Sequence, residues 1–346
     1  MSDNPLGTRL PLIQAPMAGV QDSRLAIEVC RAGALGSLPA AMLSAEVLEQ
    51  ELTRLQRDCS GPWSVNFFCH RPQPDAAAEQ RWREALQPYY AEFAIDPDSV
   101  RAGAGRRPFD ADSLELLKRF RPEVVSFHFG LPESDLLDQV KALGIRVLSS
   151  ATTVDEALWL ESHGADVIIA QGVEAGGHRG MFLSTELTGQ CGTFSLVPQV
   201  VDAVRVPVIA AGGIADARGI RAAMALGAAG VQLGTAYLLC AECTTTAVHR
   251  AALQSEAARH TALTNVFSGR PARGIVNRII REQGPMSSLA PPFPLATAAV
   301  APLRSAAEQQ NSGDFSPMWA GQNVSGCRSI PAFDLTSELA EAFAVS

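Results

Sequence analysis

Two histidines stand close to the ends of short apolar segments, where an imidazole would be available for chemistry. His128 follows the segment Val124–Phe127, and His178 lies a few residues beyond the segment Val167–Ala170. Such segments indicate buried parallel strands, whose carboxyl ends meet at the edge of the sheet where ligands bind. An imidazole there can accept a proton or stabilise an anion. We therefore predict that His128 is catalytic and that His178 is a second active-site residue, although a core histidine bonded to the backbone is the alternative for each.

Small residues follow two further apolar segments. After Val208–Ala211 and Gly230–Leu233 come, respectively, Gly212 with Gly213 and Gly234 with Thr235. Backbone N–H groups at strand ends and at the helix starts that follow them bind phosphate. Two such turns on consecutive strands are typical of the phosphate site of a (β/α)8 barrel, while ordinary tight turns also use glycine. The Rossmann alternative requires G-x-G-x-x-G at its first strand–helix turn, and the sequence has none there.

Four amide side chains occupy strands or strand ends. Asn66 interrupts the apolar segment Trp63–Phe68, and Gln171 directly follows another segment. Gln14 and Gln232 lie within two further strands. A buried amide must form hydrogen bonds, either with the backbone or with a ligand. Because an amide offers both a donor and an acceptor, it suits the edge of a flavin or a nucleobase.

The elements that must position these residues alternate regularly between strands and helices. We predict eight strands: Leu12–Ala15, Ala34–Leu38, Trp63–Phe68, Val124–Phe127, Arg146–Leu148, Val167–Ala170, Val208–Ala211 and Gly230–Leu233. We predict helices between them over Arg24–Ala32, Ser44–Leu55, Ala76–Phe93, Glu133–Leu143, Val154–His163, Leu196–Val204 and Asp216–Leu226. Eight strands that alternate with helices predict an α/β fold, a TIM (β/α)8 barrel.

Two parts of the chain depart from this alternation. Residues 69–122 widen the spacing between two strands, contain an arginine-rich turn at Arg101–Arg107, and are predicted to be an insertion at the barrel mouth. The barrel itself is predicted to cover residues 1–242. Residues 243–346 are predicted to form a mostly helical substrate or lid region, with a basic loop over Phe267–Asn277 and a final helix over Leu335–Phe343.

Composition narrows the classes of function. Of the 346 residues, 47% are hydrophobic and 18% charged, which is typical of a folded enzyme. The net charge of −8 with no basic stripe argues against nucleic acid as a partner. No apolar run approaches the ~18–20 residues of a membrane span, and the first residues do not resemble a secretory signal. We expect a protein of the cytoplasm that binds no membrane, with its subunit number open and a homodimer as one arrangement.

The cysteines and acidic residues form no metal-binding pattern. Seven cysteines, an odd number spread along the chain, predict free thiols. Cys240 and Cys243 have C-x-x-C spacing without a second pair, so packed thiols are favoured over a zinc site. The absence of a histidine–carboxylate metal motif and of G-x-S-x-G disfavours a metal-dependent hydrolase and acyl transfer.

The motifs together resemble a known family. The sequences IQAPMAG, SVNFF, SFHFG, AQGVEAGGHRG, AAGGI, VQLGTAYLLC and FSGRPARGIVNR are similar to those of the nitronate monooxygenases, formerly called 2-nitropropane dioxygenases, of bacterial class I. The similarity extends from about Leu12 to Ala320. AAGGI and QLGT occur in many FMN-binding barrels, whereas SFHFG combined with EAGGHRG is far more specific.

The resemblance implies an FMN enzyme that oxidises alkyl nitronates, such as propionate 3-nitronate, with O2 to a carbonyl compound and nitrite, which detoxifies them. It implies that His128 is the active-site base or anion-binding residue and that His178 lies near the flavin. The resemblance also assigns residues to FMN. Met17 would contact the flavin through its backbone, and the ring and ribityl chain would be held by Asn66, Gln171 and Gly176. The phosphate would be bound by Gly213 and by Gln232, Leu233, Gly234 and Thr235; we add Gly212 because it lies beside Gly213.

One departure from the family pattern concerns the substrate. The family places tyrosines and a lysine from the C-terminal region in the substrate pocket, but this chain has no tyrosine after Tyr237 and no lysine after Lys141. The corresponding segment is Pro292–Thr297. Two alternatives therefore stay open: an FMN-dependent NAD(P)H:quinone or enoyl reductase, which would oxidise NADH, and a non-catalytic flavin-binding protein, which would release no nitrite.

Overall fold

The barrel contains eight parallel strands. The structure is a computed structural model that describes residues 4–71, 73–100 and 106–344. Its strands up to the end of the barrel are β1 (Leu12–Gln14), β2 (Gly36–Pro39), β3 (Trp63–Phe68), β4 (Val124–His128), β5 (Arg146–Ala151), β6 (Val167–Gln171), the short β7 (Gly177–His178), β8 (Val208–Ala211) and β9 (Gly230–Leu233). All of them except β7 form the barrel, in the order β1-β9-β8-β6-β5-β4-β3-β2, and a parallel bridge between Ile13 and Leu35 closes the ring. The prediction of a TIM barrel is confirmed.

The strands read as apolar segments because they are buried on both faces. Every residue of β3, β6 and β8 is buried. Side chains that point inward, among them Ile13, Val124, Leu148, Ile169 and Ile209, form a core inside the barrel. This packed interior holds the strand ends in fixed positions, and the residues that follow the strands inherit that rigidity.

The helices of the described residues are α1 (Ser23–Arg31), α2 (Ala45–Asp58), α3 (Ala76–Glu92), α4 (Ala111–Phe120), α5 (Ser134–Ala142), α6 (Val154–Ser162), α7 (Thr193–Ala203), α8 (Ala217–Ala225), α9 (Ala247–Leu253), α10 (Arg278–Gln283), α11 (Ala296–Gln309) and α12 (Ala332–Ala340). Those predicted between the barrel strands lie at nearly the predicted positions. Helix α4 packs against α2 and α5 and was not predicted, because residues 69–122 were interpreted as one insertion. Short 3-10 helices cover Pro97–Ser99, Thr235–Tyr237, Glu256–Arg259 and Glu341–Phe343. Side-chain caps fix several helix starts; Asp216, for example, accepts hydrogen bonds from the backbone N–H groups of Arg218 and Gly219.

The region after the barrel contains strands as well as helices. Strands β10 (Thr261–Thr264) and β11 (Ala272–Ile275) pair in antiparallel fashion, and β11 also pairs with β7. Part of the segment Phe267–Asn277, predicted to be a loop, is therefore a strand. The prediction was wrong there because β11 is only four residues long and contains an arginine and a glycine, so no alternation of apolar and polar residues marks it as a strand.

The insertion and the C-terminal region pack on each other. Trp82, Leu86 and Tyr90 of α3 share a hydrophobic cluster with α11, and the Tyr90 hydroxyl donates a hydrogen bond of 2.7 Å to the Ala299 carbonyl. In contrast, α12 packs against the barrel helices, where Tyr237 and Thr336 hydroxyls lie 2.9 Å apart. The division of the chain at residue 242 stays a prediction. Within the described residues, no helix is both long and apolar enough to cross a membrane.

Candidate active site

A cleft at the carboxyl ends of the barrel strands brings most of the predicted site residues together. Those that line it are Met17, Asn66, His128, Gln171, Gly176, His178, Gly212, Gly213, Gln232, Gly234 and Thr235. Leu233 does not line the cleft, because its side chain is buried in the hydrophobic core. Its carbonyl accepts a hydrogen bond of 2.8 Å from the backbone N–H of Ala15, so it helps to join the first and last barrel strands.

His128 is held at both ring nitrogens. Its Nε2 lies 3.2 Å from the carbonyl oxygen of His178, and its Nδ1 lies 3.1 Å from the Ser150 hydroxyl. A carbonyl can only accept, so this network assigns the proton to Nε2 and makes Nδ1 the acceptor from Ser150. Burial, with a smaller contribution from Arg270, lowers the pKa of His128 to about 4. The imidazole is therefore neutral at neutral pH and offers one N–H donor.

The chain turns sharply directly after His128. Phe129 has a φ of +71° and Gly130 a φ of +91°, so two successive residues adopt the left-handed region. For phenylalanine this conformation costs about 1–3 kcal/mol and persists only where the surroundings impose it. The guanidinium of Arg270 lies 4.1 Å from the centroid of the Phe129 ring and donates to the Met181 carbonyl. The C-terminal region thus helps to hold the turn that presents His128.

His178 lies on β7, which pairs with β11. Its Nε2 is 2.8 Å from the Ser268 hydroxyl. Burial lowers its pKa well below the usual value, and the neighbouring Arg106, His128 and Arg270 add to this effect. His178 is therefore also neutral, and its carbonyl is the group that accepts from His128.

Gln171 has a structural role in addition to its place in the cleft wall. Its Nε2 donates to the His178 carbonyl at 3.0 Å, and its Oε1 accepts from the backbone N–H of Gly180 at 2.8 Å. Both ends of the amide are thus bonded to the loop that carries His178. The predicted contact of Gln171 with a flavin ring stays a prediction, as does the backbone contact of Met17, whose N–H donates to Gln21 Oε1 at 2.8 Å.

Arg179 was not predicted, although it supports the same loop. Its side chain is fully buried, and its guanidinium donates to the carbonyls of Gly172 and Gln171 at 2.6 Å each. Desolvation lowers its pKa only to about 10, so it stays charged. An arginine among the small residues of EAGGHRG was the available signal, because a buried guanidinium in such a loop has to bind backbone carbonyls.

The glycine turns after β8 and β9 leave backbone donors free. Gly212 and Gly213 have φ values of +118° and +70°, conformations that favour glycine. Among the residues that the structure describes, the backbone N–H groups of Gly213 and Thr235 have no acceptor. The Thr235 hydroxyl accepts from the Gly321 N–H at 2.9 Å, so its own proton is available as a further donor. These donors, at one end of the cleft, fit a phosphate group.

Side chains from the insertion and the C-terminal region complete the cleft. Among the lining residues that sequence reasoning missed, Arg106 comes from the insertion, Ser150 from β5, and His249, Trp319, Gly321 and Asn323 from the C-terminal region. Of the arginine-rich turn predicted at Arg101–Arg107, residues 101–105 lie outside the described part of the chain. Burial lowers the pKa of Arg106 to about 10, so the guanidinium remains cationic. Among the described lining residues, it is the one that is charged at neutral pH, which favours anionic ligands.

His70 lies buried behind the cleft, with its ring 4.8 Å from that of Phe293. Neither ring nitrogen has a hydrogen-bond partner of good geometry among the described residues. Burial, together with the charge of Arg270, lowers the pKa of His70 from 6.5 to about 4. The folded protein therefore binds fewer protons than the unfolded protein within this interval, so the free energy of unfolding decreases as the pH falls through it.

Replacing His70 with phenylalanine is expected to make the protein less sensitive to acid. Between the two pKa values, a histidine that is neutral in the folded protein and charged in the unfolded protein lowers the free energy of unfolding by about 1.4 kcal/mol for each pH unit of acidification. Urea unfolding at neutral pH and at about pH 5 should show a smaller loss of stability in His70→Phe than in the unchanged protein, in which His128 and His178 contribute to the loss as well. The same substitution at the exposed His260 is the control. An unchanged pH dependence in His70→Phe would contradict the assignment.

Comparison with known proteins gives one consistent family. A family model described as nitronate monooxygenase matches residues 4–342. A nitronate monooxygenase from Pseudomonas aeruginosa is 43% identical over 97% of this chain and 97% of the relative. One from Paraburkholderia phytofirmans is 41% identical over 96% of this chain and 92% of the relative. The crystal structure of a nitroalkane oxidase from Streptomyces ansochromogenes is 39% identical, with a TM-score of 0.89 over 98% of this chain and 99% of that one. The resemblance of the motifs is confirmed: the chain belongs to the nitronate monooxygenase family of oxidoreductases, which act on nitronates.

Proposed function

We propose that this enzyme uses FMN and O2 to convert alkyl nitronates into a carbonyl compound and nitrite. The observation that carries the proposal is the arrangement of groups in one cleft. Backbone N–H groups without acceptors among the described residues lie at one end. The neutral His128 and His178 lie towards the other end, together with the cationic Arg106. A ligand with a phosphate at one end of a flat ring system fits this distribution of groups, and it leaves His128 and Arg106 for a small anion.

The residues present fit FMN. The N–H groups of Gly213 and Thr235 would bind its phosphate, and Asn323 supports this turn because its Nδ2 donates to the Gly213 carbonyl at 3.0 Å. A side chain at Gly234 would approach Ala15 Cβ to 3.2 Å, so glycine keeps this turn open. Asn66, bonded through Nδ2 to the Ser126 hydroxyl, would present its carbonyl oxygen to the ring. When bound, FMN supplies the electron acceptor that passes electrons from the nitronate to oxygen.

His128 would bind the nitronate through its Nε2–H group. To do so it must release the His178 carbonyl, which costs little because Gln171 continues to donate to the same oxygen. A neutral imidazole stabilises the anion by hydrogen bonding, while Arg106 supplies the positive charge. With a neutral nitroalkane, the other tautomer of the ring would be needed: Nδ1 would donate to the Ser150 hydroxyl, and the unprotonated Nε2 would remove the α-proton.

Turnover in air tests the proposal. Purified flavin-containing protein is mixed with the nitronate of nitroethane, and nitrite, carbonyl product and O2 consumption are measured together. The expected result is nitrite and aldehyde in equal amounts with uptake of O2. Nitrite formation at the rate of a flavin-only control would contradict the proposal and favour a flavin-binding protein without this activity.

A further inference from the structure

A second chamber adjoins the cleft and shares part of its wall. Residues that line both spaces include Met42, Arg106, His249 and Trp319, so the two spaces are continuous. Apart from residues 18–20, which follow β1, the rest of the chamber comes from the C-terminal region. Its position next to the histidines makes it the place for any part of a substrate that extends beyond the reacting group.

The walls of the chamber are mainly apolar. Phe267, Val300, Phe315 and Met318 contribute to them, and each of these residues is buried. Apolar walls of this kind favour methylene groups over water and disfavour a charged group that lacks a partner.

The two arginines of the chamber differ in their partners. Arg304 donates from Nε to Glu308 Oε1 at 2.8 Å, so its charge is compensated. Arg106 donates to the Thr297 hydroxyl at 3.2 Å and lies 5.4 Å from the Phe293 ring centroid. Within the described residues, no carboxylate forms an ion pair with Arg106. A guanidinium has five N–H donors, so several remain for a ligand at the junction of cleft and chamber.

We infer that Arg106 binds the nitronate group and that the chamber receives an apolar tail. The enzyme should therefore prefer nitronates with a single negative charge and a tail of several carbons over short nitronates and over nitronates that end in a carboxylate. A terminal carboxylate would lie among Val300, Phe315 and Met318 with no uncompensated cation nearby. This inference rests on the proposed function and names the substrate class of the same site.

Binding of unreactive carboxylates tests the inference without turnover. A carboxylate is planar and carries one negative charge, as a nitronate does. Calorimetry on the flavin-containing protein compares propanoate, hexanoate and hexanedioate. Each buried methylene should tighten binding by about threefold, so hexanoate should bind on the order of 30-fold more tightly than propanoate. Hexanedioate, equal in length, should bind at least roughly tenfold more weakly than hexanoate. Equal affinities would overturn the inference.

The role of Arg106 is tested with a neighbouring arginine as control. Arg106→Gln should lower kcat/KM for every nitronate by about 100-fold and weaken hexanoate binding similarly, because a buried charge contact is lost. Arg107 lies beside it but is exposed and paired with Asp110, so Arg107→Gln should leave both quantities unchanged. Equal effects of the two substitutions would assign the loss to folding of the insertion and would overturn the role of Arg106.

The role of the chamber is tested from α11. Ala301 lines the chamber and is exposed, so Ala301→Phe can fill it with little effect on folding. The kcat/KM ratio of six-carbon to two-carbon nitronates should be well above unity in the unchanged enzyme and near unity in Ala301→Phe. Ser305→Phe, one turn further on the same helix and outside the chamber lining, is the control.

The outcomes separate this inference from the proposed function. Nitrite from all nitronates at rates independent of tail length, or fastest from propionate 3-nitronate, would overturn the inference and leave the function standing. No nitrite from any nitronate would overturn the function. In that case the calorimetry with carboxylates would still decide whether Arg106 and the chamber bind anions with apolar tails.

Discussion

Replacing His128 with alanine is expected to lower kcat/KM for a nitronate by at least 100-fold while the protein keeps its fold and its flavin. The imidazole is the hydrogen-bond donor at the strand end that can bind the substrate anion. Side chains that transfer a proton or stabilise a charge in the transition state contribute about 10²–10⁴ in rate. The substitution leaves Gln171 bonded to the His178 carbonyl, so the loop retains its main contact. Steady-state kinetics with flavin content measured on the same sample checks the prediction.

Two further substitutions serve as references for His128→Ala. His260 is exposed and outside the cleft lining, so His260→Ala should retain full activity. Ser150→Ala removes the hydroxyl that orients Nδ1, so it should cause a smaller loss, about tenfold, from a less well positioned ring. An unchanged kcat/KM in His128→Ala would move the catalytic role to His178.

Replacing Gly213 with aspartate is expected to release FMN. The carboxylate would stand at the free N–H groups and repel the phosphate, and like charges about 4 Å apart cost about 4 kcal/mol at an effective dielectric constant near 20. The dissociation constant of FMN should therefore increase by about 100-fold or more. Flavin fluorescence after gel filtration measures the loss.

A neutral substitution at the same position separates charge from backbone strain. Gly213 has a φ of +70°, and asparagine has the shape of aspartate and tolerates this conformation without the charge. Gly213→Asn should therefore retain far more FMN than Gly213→Asp. Gly189→Asp, where an added side chain meets open space, controls for a new surface charge. Stoichiometric flavin in Gly213→Asp would show that the phosphate site lies elsewhere.

The barrel could be predicted because its sequence signal is local. Each strand is a short apolar segment followed by glycine or a polar residue, and β6 and β8 show this most clearly. The same segments placed His128 and the glycine turns at one edge, because parallel strands present their carboxyl ends on one side. Helix caps such as Asp216 were equally local.

The parts of the cleft that could not be predicted depend on long-range contacts. Arg106 reaches the cleft because its segment meets Thr297 on α11, almost two hundred residues later in the chain. Likewise, the amide of Gln171 donates to the loop that carries His178. That loop is held in place by the pairing of the two-residue strand β7 with β11, so the hydrogen bonds of Gln171 depend on this short pairing. Residue type predicts hydrogen bonds for Gln171, but the packing that gives its side chain these protein partners is not displayed in the sequence, and its contact with a ligand stays a prediction.

Anaerobic mixing of the purified flavin-containing enzyme, in one experiment with the nitronate of nitroethane and in a second with NADH, tests whether a nitronate is the electron donor. Flavin absorbance is followed in both. We expect rapid loss of the oxidised flavin spectrum with the nitronate and no change with NADH. When O2 is admitted, the oxidised spectrum should return and nitrite should be found. Loss of the spectrum with NADH alone would contradict the proposed function and identify a reductase built on the same barrel.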